Sequence, residues 1–434
     1  MNRERIEAIA RTVLYEGYNL YPYRPSALKN QRRWTFGSLF PHAWSEHNEG
    51  DRSRMQTECL LRGGSDAEID VRLRFLHIVA REIGELPAPI AELPAGGEPQ
   101  FRTVPRLAVG GREYYAWQEA TERNVAAALP LQRLAAAPVV MPFAFPAERT
   151  VEPLRDAAGV IVGMTIRSAA PLAGRLEIAA EALADDLYRV TVIVENRTAL
   201  ADPQAIGREA AQRSALCSAH TLLGARRGAL VSLLDPPADV AKEAALCRNE
   251  GTWPVLVGDE GDTDTMLSAP IILYDYPRIA PESPGDLFDG CEIDEILTLR
   301  ILTLTEAEKR EMAAADPRTR ALLERTEALS AEELARLHGA FRDGGAAPDA
   351  LRPALRIGDR VRLKPRAGGD IMDVVLQDQI AVVEAIERDF EDRIHVAVTI
   401  VDDPGRDLGA DRMPGHRFFF APDELAPIAA QAES

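Results

Sequence analysis

Ile69-Asp70-Val71-Arg72-Leu73-Arg74-Phe75 alternates apolar and charged residues at every step. Successive side chains of an extended chain point to opposite faces, so this period of two predicts a strand with one face in a core and the other in water. Working outward, Met55 to Leu61 and Trp34 to Phe40 also read as extended. Arg3 to Tyr15 differs: Ile6, Ile9, Ala10, Val13 and Leu14 share one helical face, with Glu4, Arg5, Glu7 and Arg11 largely opposite, and Gly17 follows as a stop. Residues 1–95 are therefore expected to form a mixed α/β region, and the prolines and glycines of Leu86 to Gln100 predict a connector after it.

Residues 96–304 read as a strand-rich central domain. Leu176 and Ile178, then Leu187 to Glu195, carry β character, and Asn196-Arg197-Thr198 closes the run. Ile206 to Ser218 reads as a short helix or an irregular crossing. Gly224-Ala225-Arg226-Arg227-Gly228, flanked by His220 to Leu223 and Ala229 to Leu234, predicts a hairpin. Val240 to Cys247 suits a short helix, and Trp253 to Val257 and Pro270 to Tyr276 suit strands. Glu292 to Leu304 fits helix and strand equally. Thr305 with Glu308 and Ser330 with Glu333 have capping-box spacing and predict two helices in a connector over 305–350. In residues 355–428, Ile357 to Leu363, Ala381 to Ile386 and Ile394 to Val401 are short strands broken by turns, which suits an SH3-like small barrel. The expected class is α+β and strand-rich, with a β-sandwich-like central region and a C-terminal SH3-like β-barrel.

The chain has 434 residues and a net charge of -18, with 46% hydrophobic and 27% charged residues. Such a chain is globular and long enough for two or three domains. Its acidity argues against nucleic acid as partner, because phosphate binding needs a positive footprint. Cys59, Cys217, Cys247 and Cys291 are far apart and form no C-x-x-C pair, which suits a reducing cytoplasm. No run of about 18 apolar residues is present, so no membrane span is expected.

Phosphate-binding glycine loops, H-E-x-x-H, G-x-S-x-G and the dinucleotide fingerprint are all absent from the sequence. No cofactor and no metal are expected. Cys247-Arg248-Asn249-Glu250 sets a thiol, a cation, an amide and a carboxylate at the end of a helix. With His220 as a base, Cys247 and Glu250 are the candidate catalytic groups, and Arg248, Asn249, Glu282 and Asp286 are candidate ligand contacts. The plainer alternative makes Cys247 a buried helix residue and Asn249 and Gly251 a helix stop, and it leaves the carboxylates near Glu292 as helix-terminus charges. Four of the nine tyrosines fall between Tyr15 and Tyr23, and no acidic residue occurs from Gly17 to Ser45. Tyr21, Tyr23, Arg24, Lys29, Arg32, Arg33 and Trp34 thus form either a partner-binding face or an internal hub of paired charges.

Three blocks, Leu14 to Gly37, Cys247 to Pro254 and Pro281 to Asp286, together resemble a family of uncharacterised proteins encoded beside NiFe hydrogenases in bacteria. The resemblance implies a cytoplasmic accessory or scaffold protein that binds a hydrogenase subunit or maturation partner and has no chemistry of its own. The chain lacks the cysteine pairs that would hold iron-sulfur or hydrogenase metal centres. The competing expectation is an enzyme with a polar pocket around Cys247, Glu250 and His220.

Overall fold

The computed structural model describes residues 3–27, 30, 33–34, 36–94, 97–279, 283, 285, 287–288, 294–330, 333, 356–364, 378–388, 394–401 and 418–428. The chain is a strand-rich α+β protein in two compact units, Met1–Ala340 and Phe341–Ser434. The first unit opens with α1 (Arg3–Tyr15) and the short α2 (His42–Ser45), followed by β1 (Arg54–Ile90), β2 (Arg102–Val104), β3 (Arg106–Val109), β4 (Arg112–Tyr115) and β5 (Trp117–Pro130). Next come α3 (Leu131–Ala136), β6 (Val139–Phe145), β7 (Glu148–Arg155), β8 (Ile161–Ala169), β9 (Leu172–Ala184) and β10 (Leu187–Asn196). The unit continues through α4 (Arg208–Gln212), β11 (Cys217–Val231), α5 (Ala241–Ala245), β12 (Trp253–Leu256) and β13 (Thr265–Ala269), and then α6 (Asp294–Leu302), α7 (Glu306–Ala315) and α8 (Pro317–Glu327).

The alternating stretch from Ile69 to Phe75 and the extended stretch from Met55 to Leu61 belong to one strand, β1, which is 37 residues long. It is the spine of an eleven-stranded sheet and changes partners along its length. β10 pairs with Arg54 to Arg62, β11 with Leu60 to Leu76, β5 with Glu68 to Arg81, and β8 with Val79 to Ile90, all antiparallel. Strands on both sides of residue 95 therefore share a sheet. The connector expected from Leu86 is strand up to Ile90, because pairing with β8 and burial of Ile83 and Leu86 outweigh the local prolines.

Ile69, Val71, Leu73 and Phe75 are fully buried, and they pack with Leu176, Ile178, Val190, Val192 and Val194 from β9 and β10. Each such side chain contributes roughly 1.5–3 kcal/mol by leaving water. Phe75 also meets Phe145 edge-on at 5.9 Å and Phe143 at 6.0 Å. Those rings come from β6, at the far end of the order β12-β13-β11-β1-β10-β9-β6, so the sheet curls around its core. Pro142 in β6, Pro153 in β7 and Pro254 in β12 withhold a backbone donor from strands at the limits of the pairing.

Three local expectations are corrected. Gly224 to Gly228 is not a hairpin turn; β11 continues through it against β1, with a register shift between Gly63 and Glu68 and Arg227 at positive φ. A Cβ on Gly228 would lie 2.6 Å from the Arg62 carbonyl oxygen, so the glycine serves a close approach of two backbones. The strand expected at Pro270 to Tyr276 lies earlier, at Thr265–Ala269. Trp34 to Phe40 is not a strand in its described residues and makes a single bridge, Leu39 to Leu216.

α1 forms where its apolar stripe predicts, with Ile6, Ile9, Ala10 and Val13 packed on Leu222, Val255 and Leu267. The ambiguous stretch before Leu304 becomes α6. Thr305 and Glu308 cap α7 reciprocally as expected, Asp316 and Thr319 do the same for α8 ahead of Pro317, and Ser330 and Glu333 are also reciprocally bonded. In the second unit β14 (Arg360–Leu363), β15 (Ile380–Arg388), β16 (Ile394–Ile400), β17 (Phe418–Phe420) and β18 (Leu425–Pro427) form an antiparallel sheet in the order β17-β16-β15-β14-β18. Val361, Leu363, Val383, Val396 and Val398 make its core.

Candidate functional site

Of the residues nominated for catalysis, Cys247 and Glu250 lie near one edge of β1 and His220 lies far along the same strand. Cys247 packs beside Leu60, Leu187, Val231 and Val240, and its Sγ lies 3.6 Å from the Glu243 carbonyl oxygen. Burial pushes its thiol pKa up. Glu250 forms an antiparallel bridge with Gln56, and its carboxylate stands 3.5 Å from Arg54. The backbone N–H of Arg248 donates to Glu58 at 2.8 Å, and Asn249 Oδ1 accepts from the Glu58 backbone N–H at 2.8 Å. This motif therefore completes one edge of β1.

His220 stands opposite Arg74 much farther along β1, fully buried, with Nδ1 3.0 Å from the Ser218 carbonyl oxygen. Burial lowers its pKa to about 4. The pocket expected around Cys247, Glu250 and His220 is thus not assembled by the register that positions them. Glu282 and Asp286 lie outside the described residues. Among the described residues no group of three or more His, Cys, Asp or Glu is placed to hold a metal ion, and no helix is long and apolar enough to cross a membrane.

The tyrosine and arginine segment lies largely inside the protein. Tyr23 is fully buried, its hydroxyl donating to the Leu287 carbonyl, and Trp34 donates from Nε1 to Gln118 at 2.6 Å. Arg33 is only 2% exposed. Its guanidinium carbon sits 3.7 Å from the Trp117 ring centroid, 4.6 Å from Trp34 and 5.0 Å from Tyr18, and Nη1 donates to the Tyr18 carbonyl. Burial lowers its pKa to about 10. As contacts for a partner, Arg33, Tyr23 and Trp34 are corrected to parts of an internal hub. Tyr21 is half-buried under the Arg300 guanidinium at 5.3 Å. Lys29 and Arg32 lie outside the described residues.

Among the nominated residues that are described, Arg24 alone borders a large cavity of the first unit. That cavity, of about 830 Å³, lies among the β3–β4 hairpin, β7, β8, α7 and α8. Among the described residues seven arginines line it against four glutamates, an inversion of the chain's overall charge. The hairpin is closed by Gly110 and Gly111, both at positive φ (58° and 78°), the conformation that a two-residue turn between twisted strands requires.

Deep in the cavity the cations are matched. Arg81 donates to Glu119 at 2.9 Å, to the Tyr115 carbonyl at 3.0 Å and to the Ala314 carbonyl at 3.3 Å. It thereby ties β1 to the hairpin strand and to α7, and its burial lowers its pKa. Arg167 pairs with Glu119 and Glu152, each at 2.7 Å; burial opposes its charge, but these hydrogen bonds raise its pKa on balance. Arg24 pairs with Glu308 at 2.9 Å.

Toward the surface the matching stops. Arg112, Arg310 and Arg320 are exposed, and no carboxylate among the described residues pairs with them. Arg310 Nε donates to the Glu306 carbonyl at 3.0 Å and Arg320 Nε to the Ala313 carbonyl at 3.1 Å. Anchoring Nε holds each guanidinium while leaving its terminal amino groups for a ligand, the arrangement that recognises carboxylate or phosphate oxygens. These residues are spread over more than half the unit, so no local motif announces them. The signal available was Gly110-Gly111 between Arg106 to Val109 and Arg112 to Tyr115, a hairpin pattern with basic residues on both arms. No protein-family model matches the chain, and no curated protein matches it at a significant level.

Proposed function

We propose that the chain is a binding protein with no chemistry of its own, and that its specific site is the arginine-lined cavity. The observation that carries this is the set of anchored guanidinium groups of Arg310 and Arg320, unpaired with any carboxylate among the described residues and facing a cavity of ligand size in an otherwise acidic chain. His220 pairs opposite Arg74, far along β1 from the bridge between Gln56 and Glu250, which weighs against the enzyme reading. The role implied by the sequence resemblance, a cytoplasmic accessory or scaffold protein for a NiFe hydrogenase subunit or maturation partner, is part of the proposal. So are the sandwich-like reading of the central region and the SH3-like reading of the second unit, which five short antiparallel strands support.

Affinity purification of the tagged chain from its native host, with identification of co-purifying proteins, tests the accessory role. Recovery of a hydrogenase subunit or maturation factor supports it; recovery of only unrelated proteins at wild-type expression counts against it. Anion binding to the purified chain, measured by calorimetry, tests the cavity separately.

A further inference from the structure

The cavity lies between two structures of different origin, the β3–β4 hairpin carrying Arg106 and Arg112 and the helices carrying Arg310 and Arg320. Among the described residues Arg106 has a carboxylate only at 3.8 Å, on Glu113. Both walls thus present positive groups with spare donors. A ligand with one anionic group would use one wall; a ligand with two or more can engage both. Glutamates among the arginines, including Glu113 and Glu311, would accept hydrogen bonds from hydroxyl or amino groups of the same ligand.

An extended acidic peptide fits less well, for two reasons. The cavity wall includes β7, which pairs with β8, but Pro153 there lacks the N–H that a peptide adding to that edge would use. The chain's net charge of -18 also repels an acidic macromolecule over its whole surface. A small ion entering the cavity meets chiefly the charges within about 10 Å.

Resting on the reading of the cavity as the binding site, we infer that its ligand is a small molecule bearing two or more phosphate or carboxylate groups, held between the hairpin and the helices. Tripolyphosphate, citrate and hexaglutamate are the probes, titrated by calorimetry into the wild-type chain and into Arg112→Ala and Arg310→Ala. Both positions are exposed, and circular dichroism melting confirms that each variant is folded. The expected result is binding of tripolyphosphate or citrate that weakens about tenfold in each variant and falls with added salt. The stronger of the two identifies phosphate or carboxylate as the recognised group. If hexaglutamate binds in an arginine-dependent way and neither small anion does, the inference fails while the cavity remains the binding site. If a small anion binds equally well to wild type and both variants, or none binds, the cavity reading fails as well.

Discussion

The guanidinium of Arg33 lies 3.7 Å from the ring centroid of Trp117, a contact that joins the N-terminal segment to the start of β5 in the interior of the protein. Trp34 and Tyr18 complete an aromatic enclosure, and the charge, with no direct carboxylate partner among the described residues, gains cation–π attraction. Burial still disfavours the charged form, so the side chain fills volume at an electrostatic cost. Arg33→Ala is expected to lower stability by about 3 kcal/mol, because a large buried side chain leaves a cavity among three rings. Arg33→Met should lose less, since it refills the volume and makes sulfur–aromatic contacts. Urea midpoints measure both, and an unchanged midpoint for Arg33→Ala would show that the enclosure does not stabilise the fold.

Two buried imidazoles set an acid limit. His220 is faced by Arg74 and Glu122, while His77 lies near Arg123 and Glu148 and contacts the Ala170 carbonyl oxygen at 2.8 Å. Burial, with neighbouring arginine charge adding to it, lowers both pKa values from 6.5 to about 4. The unfolded chain therefore binds more protons below pH 6.5, and stability present above that value is lost as pH falls toward 4. The slope approaches roughly 1.4 kcal/mol per pH unit for each imidazole. Urea titrations at pH 7, 6 and 5 should show the fall, and His220→Asn should flatten it. A wild-type midpoint independent of pH over this range would contradict the assignment.

Glu119 joins Arg81 to Arg167 under the cavity. Arg81 is nearly buried, so Glu119→Ala leaves its cation without a neutralising partner in a poorly solvated place. A loss of about 3 kcal/mol is expected, larger than for any surface ion pair of this chain. Thermal melting of Glu119→Ala beside Arg102→Ala, which removes the exposed pair with Glu85, makes the comparison. Equal shifts would refute the network's special weight.

Gly228 separates the continuous strand from the hairpin that its sequence suggests. A Cβ there meets the Arg62 carbonyl oxygen at 2.6 Å and Leu61 Cδ2 at 2.9 Å, both in the sheet interior. Gly228→Ala should cost about 2 kcal/mol, whereas Gly64→Ala, 3.5 Å from a flexible Asp66 carboxylate, should cost much less. Chemical denaturation of the pair decides the matter; a tolerated Gly228→Ala would argue for a turn.

Cys59 and Cys217 are buried with thiol pKa values pushed up, Cys217 to about 12. Iodoacetamide at pH 7.5 should leave both unlabelled in the folded chain and label Cys247 slowly, since only the thiolate reacts. Rapid, selective labelling of Cys247 by mass spectrometry would reopen the nucleophile reading.

Local periodicity was sufficient to place α1 and the heart of β1, because the alternation at Ile69 to Phe75 and the stripe from Ile6 to Leu14 each allow one way to bury their apolar side. Capping boxes at Thr305 and Ser330 were legible for the same reason: donor and acceptor lie three residues apart. The glycines around Arg226 misled because a turn and a close backbone approach require the same residue, and only pairing with β1 distinguishes them. The candidate site was almost wholly illegible, as Arg24, Arg112, Arg167, Arg310 and Arg320 acquire a common meaning only when the hairpin and helices meet.

What the sequence determined by itself was the strand-rich α+β character, the acidic net charge and the concentration of Tyr and Arg near the N-terminus. Tertiary structure alone decided that Arg33 lies inside an aromatic enclosure, that His220 and Glu250 stand apart along β1, and that distant arginines share a cavity. The physical reason is that a side chain's type and its near neighbours fix local geometry, whereas its burial and charge environment depend on segments brought together by long-range pairing.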